Sequence, residues 1–238
     1  MRWPIVLLLA GTLGLSACAQ NPHHLNTMYL DRFASADPTP ASFTVCHGFH
    51  CTEKKAVSLN REQWRRVAAV FEPRAKTAPQ ERQQIARGLA LVQSFVGPQT
   101  GTAVRQWTHR NMYILPNLGD LSQLDCIDAS VNTWTYMTMM ERAGFMRHHR
   151  VAQLSYAGSL MDPDVRNTAV LEEKNGGYFA VDASLVDHAE PPLVMSLAVW
   201  LDTWPPNPAA IERVAKPDAA APPARIAGRT RSGAMSSN

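Results

Sequence analysis

The sequence predicts an α+β fold in which N-terminal helices are followed by an antiparallel sheet. Two observations support this prediction. Between residues 58 and 144, apolar residues recur at helical spacing in three segments. From residue 149 the period becomes that of strands, and Asn175-Gly176-Gly177 separates two of the short apolar runs. This tripeptide is typical of a hairpin turn, so the two strands it joins are predicted to be antiparallel.

The first two helices have recognisable boundaries. Ser58 or Asn60 can cap the first helix, and Pro73 ends it. Thr77 begins the second helix, and Gly97-Pro98 is predicted to stop it. Apolar residues form their inner faces: Trp64, Val67, Ala68 and Phe71 in the first, and Ile85, Leu89, Val92 and Val96 in the second.

A third helix and the strands follow. Asp125 can cap this helix, which has Cys126 in its first turn and ends at Gly144. The strands are predicted at residues 149–156, 168–172 and 178–183. Residues 193–204 are apolar and are predicted to form a last strand or a short helix.

The N-terminus has the three parts of a secretory signal. Met1-Arg2-Trp3 is short and basic, residues 5–15 are apolar, and small residues precede Cys18. A stable transmembrane helix needs about 20 apolar residues, so this run is too short to be one. It matches a cleaved signal peptide, which we predict to cover residues 1–17.

Leu15-Ser16-Ala17-Cys18 resembles the lipobox of bacterial lipoproteins. In that family the cysteine thiol receives a diacylglycerol, the chain is cut before the cysteine, and the new amine is acylated. The resemblance implies that Cys18 is the first mature residue and that its lipid anchors the chain to a membrane. Ala19 favours the outer membrane, facing the periplasm, by the same analogy. The alternative is an ordinary signal peptide with a chance cysteine.

Composition predicts the rest of the domain organisation. Residues 18–42 are polar and are predicted to be a tether, and residues 43–204 form the folded domain. Residues 205–238 are rich in Pro, Ala, Ser and Gly, so this tail is predicted to be disordered. The net charge of +3 is small and mixed along the chain, which gives no support for a nucleic-acid partner. We predict no cofactor.

The remaining cysteines fall into a pair and a single residue. Cys46 and Cys51 lie close together in a chain predicted to be exported, so we predict a disulfide between them. The alternative is a metal site, because His47 and His50 lie between them, although these neighbouring ligands point in different directions. Cys126 is left as an unpaired and reactive thiol.

The position of Cys126 suits nucleophilic chemistry. At a helix N-terminus, the helix dipole and the free N–H groups favour a thiolate, and the same N–H groups can hold a developing oxyanion. The alternative is a small buried core residue. Asp125 and Asp128 are expected to cap the helix, and Asp128 could instead tie down a neighbouring loop.

Three motifs occur in a fixed order within residues 100–200: Asp125-Cys126-Ile127-Asp128, Asn167-Thr168-Ala169-Val170, and Tyr178-Phe179-Ala180-Val181-Asp182. Together they resemble the transglutaminase-like superfamily, and in particular the bacterial transglutaminase-like cysteine proteinases. Those proteins place a nucleophilic Cys at the start of a helix, a His at the start of a later strand, and an Asp at the end of the following strand. The resemblance implies a papain-like core with Cys126 as nucleophile and Asp182 as the residue that orients the base.

The resemblance does not extend to the histidine that acts as the catalytic base. Its position falls on Arg166 or Asn167, depending on register, and neither residue can exchange a proton near neutral pH. A thiolate could still form beside Arg166. Other histidines could serve instead: His109, His148, His149 and His188.

These observations predict a membrane-anchored periplasmic lipoprotein with a degenerate transglutaminase-like cysteine-protease fold, which binds a protein or peptide partner in the envelope. One alternative is an active cysteine peptidase or acyl-transferase that uses Cys126 as nucleophile. A second alternative is a metal-binding or redox lipoprotein that acts through the loop from Cys46 to Cys51.

Overall fold

The fold is α+β, as the sequence predicts, and the computed structural model describes residues 23–105, 120–158, 165–202, 208–212 and 214–215. The helices of this part of the chain are α1 (Met28–Phe33), α2 (Arg61–Ala69), α3 (Ala78–Thr100), α4 (Cys126–Arg142) and α5 (Leu197–Asp202). The strands are β1 (Leu25–Asn26), β2 (Phe43–His47), β3 (Glu53–Val57), β4 (His149–Val151), β5 (Leu154–Ala157), β6 (Arg166–Glu173), β7 (Tyr178–Asp182) and β8 (Leu193–Ser196).

Reciprocal caps start two of the helices. The Asn60 side chain accepts a hydrogen bond from the backbone N–H of Gln63, and the Gln63 side chain accepts one from the backbone N–H of Asn60, both at 2.8 Å. Asp125 and Asp128 make the same exchange at the start of α4. Because each bond satisfies an otherwise free N–H group, the cap sets the first residue of the helix. The predicted caps Asn60 and Asp125 are confirmed.

The end of α3 differs from the prediction. The helix continues past Gly97-Pro98 to Thr100, and Gly101 ends it with φ of +80° and an N–H bonded to the Gly97 carbonyl. Proline disfavours a helical residue before it because its ring collides with the preceding Cβ. Gly97 has no Cβ, so this collision is absent and the helix tolerates Pro98 in its last turn.

The main sheet is antiparallel. Its order is β1-β5-β6-β7-β8, and β4 also pairs with β6. The hairpin turn predicted at Asn175-Gly176-Gly177 joins β6 to β7. The strand predicted over residues 149–156 is divided into β4 and β5, because the Ala152 carbonyl bonds to the Trp134 indole N–H at 2.9 Å instead of continuing the ladder. A second, two-stranded sheet pairs β2 with β3.

Alternation along the strands divides the buried residues between the two faces of the sheet. Ala169, Leu171 and Val181 belong to the larger cluster, which also contains the inner residues of α3 and α4. Val170 and Ala180 belong to a smaller cluster on the opposite face, with Met195, Leu197 and Trp200. The sheet therefore presents one face to the helical layer and the other to α5.

The N-terminal segment is more ordered than the predicted tether of residues 18–42. β1 pairs with β5, and α1 packs against α4. The tether prediction is therefore wrong for β1 and α1, which are held by backbone pairing that a polar composition does not reveal. The predicted signal peptide and Cys18 lie outside the described residues.

The C-terminal segment also differs from the prediction where it is described. Residues 193–204 were expected to form a strand or a short helix, and they contain both β8 and α5. Beyond them, Glu212 forms a bridge with Val194 and an ion pair with Arg82. The prediction of disorder from residue 205 is therefore wrong at Glu212, and residues 216–238 lie outside the described part of the chain.

Candidate functional site

Cys126 is the first residue of α4, and its surroundings are organised by the two aspartates beside it. Asp125 accepts hydrogen bonds from the N–H groups of Ile127 and Asp128, each at 2.9 Å. Asp128 is fully buried and accepts a bond from the Asp125 N–H at 3.2 Å. Cys126 itself is half-buried and free of any disulfide.

The loop from Gly48 to Cys51 rests on this helix end. All four of its residues have positive φ, between 53° and 82°, a conformation that costs residues other than glycine about 1–2 kcal/mol each. Asp128 accepts bonds from the N–H groups of Phe49 and Cys51, at 2.9 and 2.6 Å. The prediction that Asp128 could tie down a neighbouring loop is confirmed, because its carboxylate holds this strained turn.

Cys46 and Cys51 form the predicted disulfide. Their sulfurs and a carboxylate oxygen of Asp128 lie within 4.8 Å of one another, which is a spacing that a metal ion could bridge. A metal would require two free thiolates, and in the disulfide the sulfurs are bonded to each other instead. The donor set therefore does not fit a metal ion while the disulfide is intact.

The sheet register decides whether Arg166 or Asn167 occupies the predicted position of the catalytic base. The Asn167 side-chain N–H donates a hydrogen bond to Cys126 Sγ at 3.7 Å, so residue 167 occupies the place beside the thiol. Arg166 points to the other face, where its guanidinium bonds to the Trp200 carbonyl at 2.7 Å. The expectation of a thiolate beside Arg166 is therefore wrong, because adjacent strand residues point to opposite faces.

Asp182 does not orient residue 167. Its carboxylate accepts bonds from the Trp200 indole N–H at 2.9 Å and from the Ser184 hydroxyl at 2.6 Å. Among the described residues, the side-chain oxygen of Asn167 is buried without a hydrogen-bond partner. Only two of the three predicted catalytic residues are in contact with each other. Cys126 and Asn167 lie together, whereas Asp182 accepts hydrogen bonds from Trp200 and Ser184.

The Cys126 thiol is a weak acid in this environment. Burial is the largest cause, and the negative charge of Asp125 adds to it, so the pKa of Cys126 is raised to about 12. The hydrogen bond from Asn167 acts in the opposite direction and does not offset them. In this environment desolvation and the charge of Asp125 therefore outweigh the predicted stabilisation of a thiolate by the helix N-terminus.

Of the histidines proposed as alternative bases, His148 and His149 belong to the network around Glu81, and His188 lies beside α3 in a small cavity that Leu124 and Ala129 also line. His149 is buried, with Nδ1 bonded to Glu81 at 2.9 Å and Nε2 facing Arg82 Nη1 at 3.2 Å. His148 donates its backbone N–H to the same Glu81 carboxylate. His188 packs its ring against Gly97 of α3. His109 lies outside the described part of the chain.

Two further residues lie near Cys126: His50, considered above only as a possible metal ligand, and Tyr29, which no sequence pattern indicates. His50 Nδ1 lies 3.1 Å from Asp125, and this hydrogen bond is the main reason that the pKa of His50 is raised. Tyr29 of α1 has a raised pKa because it is partly buried and lies near Cys126 and Asp125. Tyr29 belongs to no sequence motif, and the cysteine–histidine cluster around His50 does not indicate a contact with Asp125. Only a long-range contact brings them to the helix end, so no local signal could have identified them.

A shallow groove of about 520 Å³ lies between α1, α4 and β4. Its walls combine apolar and polar side chains, including Leu30, Asp31, Trp134, Val151 and Gln153. A cavity of this volume is within the range of ligand sites, roughly 300–1,000 Å³. One wall belongs to α1, the helix that carries Tyr29.

A comparison of the chain with protein-family models, curated proteins and solved structures finds no significant match. Of the helices in the described ranges, none combines the length and the apolar character needed to cross a bilayer.

Proposed function

We propose that this chain is a lipid-anchored lipoprotein of the bacterial envelope whose transglutaminase-like cysteine-protease fold has lost its base and binds a protein or peptide partner. The observation that carries the proposal is the hydrogen bond from the Asn167 amide to Cys126 Sγ. An amide stands where the resemblance requires an imidazole.

This contact favours binding over catalysis. A Cys–His pair works because imidazole accepts the thiol proton and later returns it to the leaving group. The Asn167 amide can do neither. Because the pKa of Cys126 is raised to about 12, the thiol stays protonated at neutral pH. We therefore expect the thiol to react slowly with electrophiles in the folded protein.

The groove between α1, α4 and β4 supports a binding role. Trp134 and Leu30 supply apolar contact surface there, and Asp31 and Gln153 supply polar groups that could orient a peptide. The Trp134 indole N–H is already bonded to the Ala152 carbonyl, so its ring is held in one orientation. A rigid aromatic wall of this kind favours recognition with little loss of side-chain entropy.

Alkylation of Cys126 tests the loss of catalysis. The experiment uses the Cys18→Ser protein with its disulfide intact, so that Cys126 is the free thiol, and iodoacetamide at pH 6 to 9. We expect less than a tenth of the rate of the urea-unfolded chain at every pH, as read by intact mass. Rapid labelling of the folded protein at pH 6 would reveal a stabilised thiolate and would favour the active peptidase instead.

The lipid anchor has its own test. Intact mass of the protein purified from membranes should show a chain that begins at Cys18 and carries diacylglycerol and an amide-linked acyl group. The Cys18→Ala variant should remain an uncleaved, unlipidated precursor. A mature wild-type chain without lipid would contradict the lipoprotein assignment and would leave the binding fold unaffected.

A further inference from the structure

Three residues near the end of the described chain lie along the outer edge of the main sheet. We call Ile211, Glu212 and Val214 the edge segment. The backbone N–H of Glu212 bonds to the Val194 carbonyl of β8 at 2.7 Å, and this bridge is an isolated one. Ile211 packs against the cluster on the α5 side of the sheet, and Val214 packs against the cluster on the helical side. The edge segment therefore alternates faces as a strand does, although among the described residues a single bridge pairs it with β8.

A buried arginine of α3 binds the Glu212 carboxylate. Nε of Arg82 donates to both carboxylate oxygens, at 2.9 and 3.1 Å, and Nη2 lies 2.8 Å from one of them. The Arg82 side chain is 6% exposed, whereas that of Glu212 is 28% exposed. The planar guanidinium matches a carboxylate because it offers two parallel N–H groups. Two points thus recognise this residue: Arg82 holds its carboxylate, and the Val194 carbonyl holds its backbone N–H.

Arg82 is held in place by groups other than Glu212. Its Nη1 donates to the Glu173 carboxylate at 2.8 Å and faces His149 Nε2 at 3.2 Å. Its Cζ lies 3.7 Å from the centroid of the Phe179 ring. These contacts come from β4, β6 and β7, so they keep the guanidinium in position when Glu212 leaves. Nε and Nη2 then require another acceptor, because a buried donor without a partner is costly.

We propose that this edge is a binding site for an extended acidic segment of a partner protein, and that the edge segment occupies it in the free chain. The partner places an acidic residue where Glu212 lies, with apolar residues at the positions of Ile211 and Val214. The positive charge of Arg82 selects the acidic residue, and the outer strand of a sheet is a template for pairing with another chain. The site involves α3 and β8, so it is separate from the groove between α1, α4 and β4.

Binding of the chain's own sequence as a free peptide tests this site. The probe is a fluorescein-labelled peptide with the sequence of residues 208–216, added to the Cys18→Ser protein or to the same protein with Glu212→Ala. We expect at least tenfold tighter binding to the Glu212→Ala protein, measured by fluorescence anisotropy, because its own segment competes less well. Replacing the glutamate of the peptide by glutamine should weaken this binding at least tenfold. Glu62→Ala, at the exposed ion pair with Arg65 on α2, is the matched control and should bind the peptide as the parent does.

The proposal is wrong if the Glu212→Ala protein does not bind the peptide, or if it binds the glutamate and glutamine peptides equally. If Glu212→Ala does not fold, hydrogen exchange of the parent decides the question. Excess peptide should accelerate exchange of the N–H groups of the edge segment at least threefold, and unchanged exchange would contradict displacement.

Size-exclusion chromatography separates a partner protein from a second copy of this chain. A parent dimer that Glu212→Ala dissociates would show that a second copy supplies the segment, and the proposed partner would then be wrong. A monomeric parent is the expected result. None of these measurements depends on lipid at Cys18 or on the reactivity of Cys126, so their failure would leave the proposed function standing.

Discussion

Two regions of the molecule place acidic groups beside a histidine or a cysteine, and they differ in how strongly the carboxyl groups are stabilised as anions. Around Glu81, the carboxylate accepts bonds from the backbone N–H groups of Arg147, His148 and His149 and from the His149 ring. Around Cys126, the Asn167 oxygen is buried without a partner among the described residues. The Glu81 carboxylate thus has several donors, and His148 Nε2 beside it is, like the Asn167 oxygen, buried without a partner among the described residues.

The contrast extends to charge. Burial acts to raise the pKa of Glu81, but the hydrogen bonds from His149, Arg147 and His148 outweigh it, and its pKa is lowered. Burial and the charge of Asp125 raise the pKa of Asp128 to about 7, although three N–H groups bond to it. A buried carboxyl group is thus stabilised as an anion where enough hydrogen-bond donors surround it and destabilised where a second carboxylate is adjacent.

The largest expected effect comes from breaking the Glu81 network. Glu81→Ala would leave three backbone N–H groups, of which that of His149 is buried, and the buried His149 ring without their acceptor. Removing one partner of such a buried pair typically costs about 3–5 kcal/mol. Urea denaturation should show this loss, and Glu172→Ala, at the exposed pair with Arg150, should change stability far less. A Glu81 variant as stable as the parent would refute a structural role for the network.

The disulfide should have the next largest effect. Replacing both Cys46 and Cys51 by Ser opens a loop of five residue steps, for which chain entropy predicts a loss of about 2 kcal/mol. Thermal melting measures this loss, with the parent under non-reducing conditions as control. If non-reducing mass spectrometry found the parent thiols free and bound to metal, the second alternative function would replace the structural disulfide.

A histidine can be introduced at the position where the resemblance expects the catalytic base. Asn167→His would place an imidazole beside Cys126 Sγ, where it can accept the thiol proton. We expect iodoacetamide labelling at pH 7 to accelerate about tenfold, which corresponds to about 1.4 kcal/mol. Asn167→Ala is the matched control, since it removes the amide without supplying a base. Equal rates in the two variants would indicate that position 167 does not face the thiol productively.

The smallest expected change in stability is its pH dependence, which reports on Asp128. Its pKa in the folded protein, about 7, lies above the ordinary value of 3.8. The folded state therefore binds a proton more tightly, and the stability gained from it declines as the pH rises from 3.8 and is lost above about 7. Stability should fall by about 1.4 kcal/mol between pH 6 and pH 8. Asp128→Asn should flatten this change, and a slope unaltered by the substitution would exclude Asp128 as its cause.

Local patterns were sufficient for much of the fold. Asn60 and Asp125 were identified as caps because a capping residue acts within three residues of itself, and the hairpin turn was identified from its own three residues. The composition does not predict that β1 and α1 are part of the fold, because their stability comes from β5 and α4, which lie far away along the chain. A polar segment can be a tether or part of the folded domain, so its composition does not distinguish the two.

For the candidate site, the sequence alone determined the helix that begins at Cys126, the close pair of Cys46 and Cys51, and the absence of histidine at positions 166 and 167. These are properties of residue identity and short spacing. Only the tertiary structure decided that Asn167 contacts the thiol, that Asp182 faces Trp200, and that desolvation and Asp125 raise the pKa of the thiol. The physical reason is that strand register selects the face of each side chain, and burial together with neighbouring charge selects its protonation state.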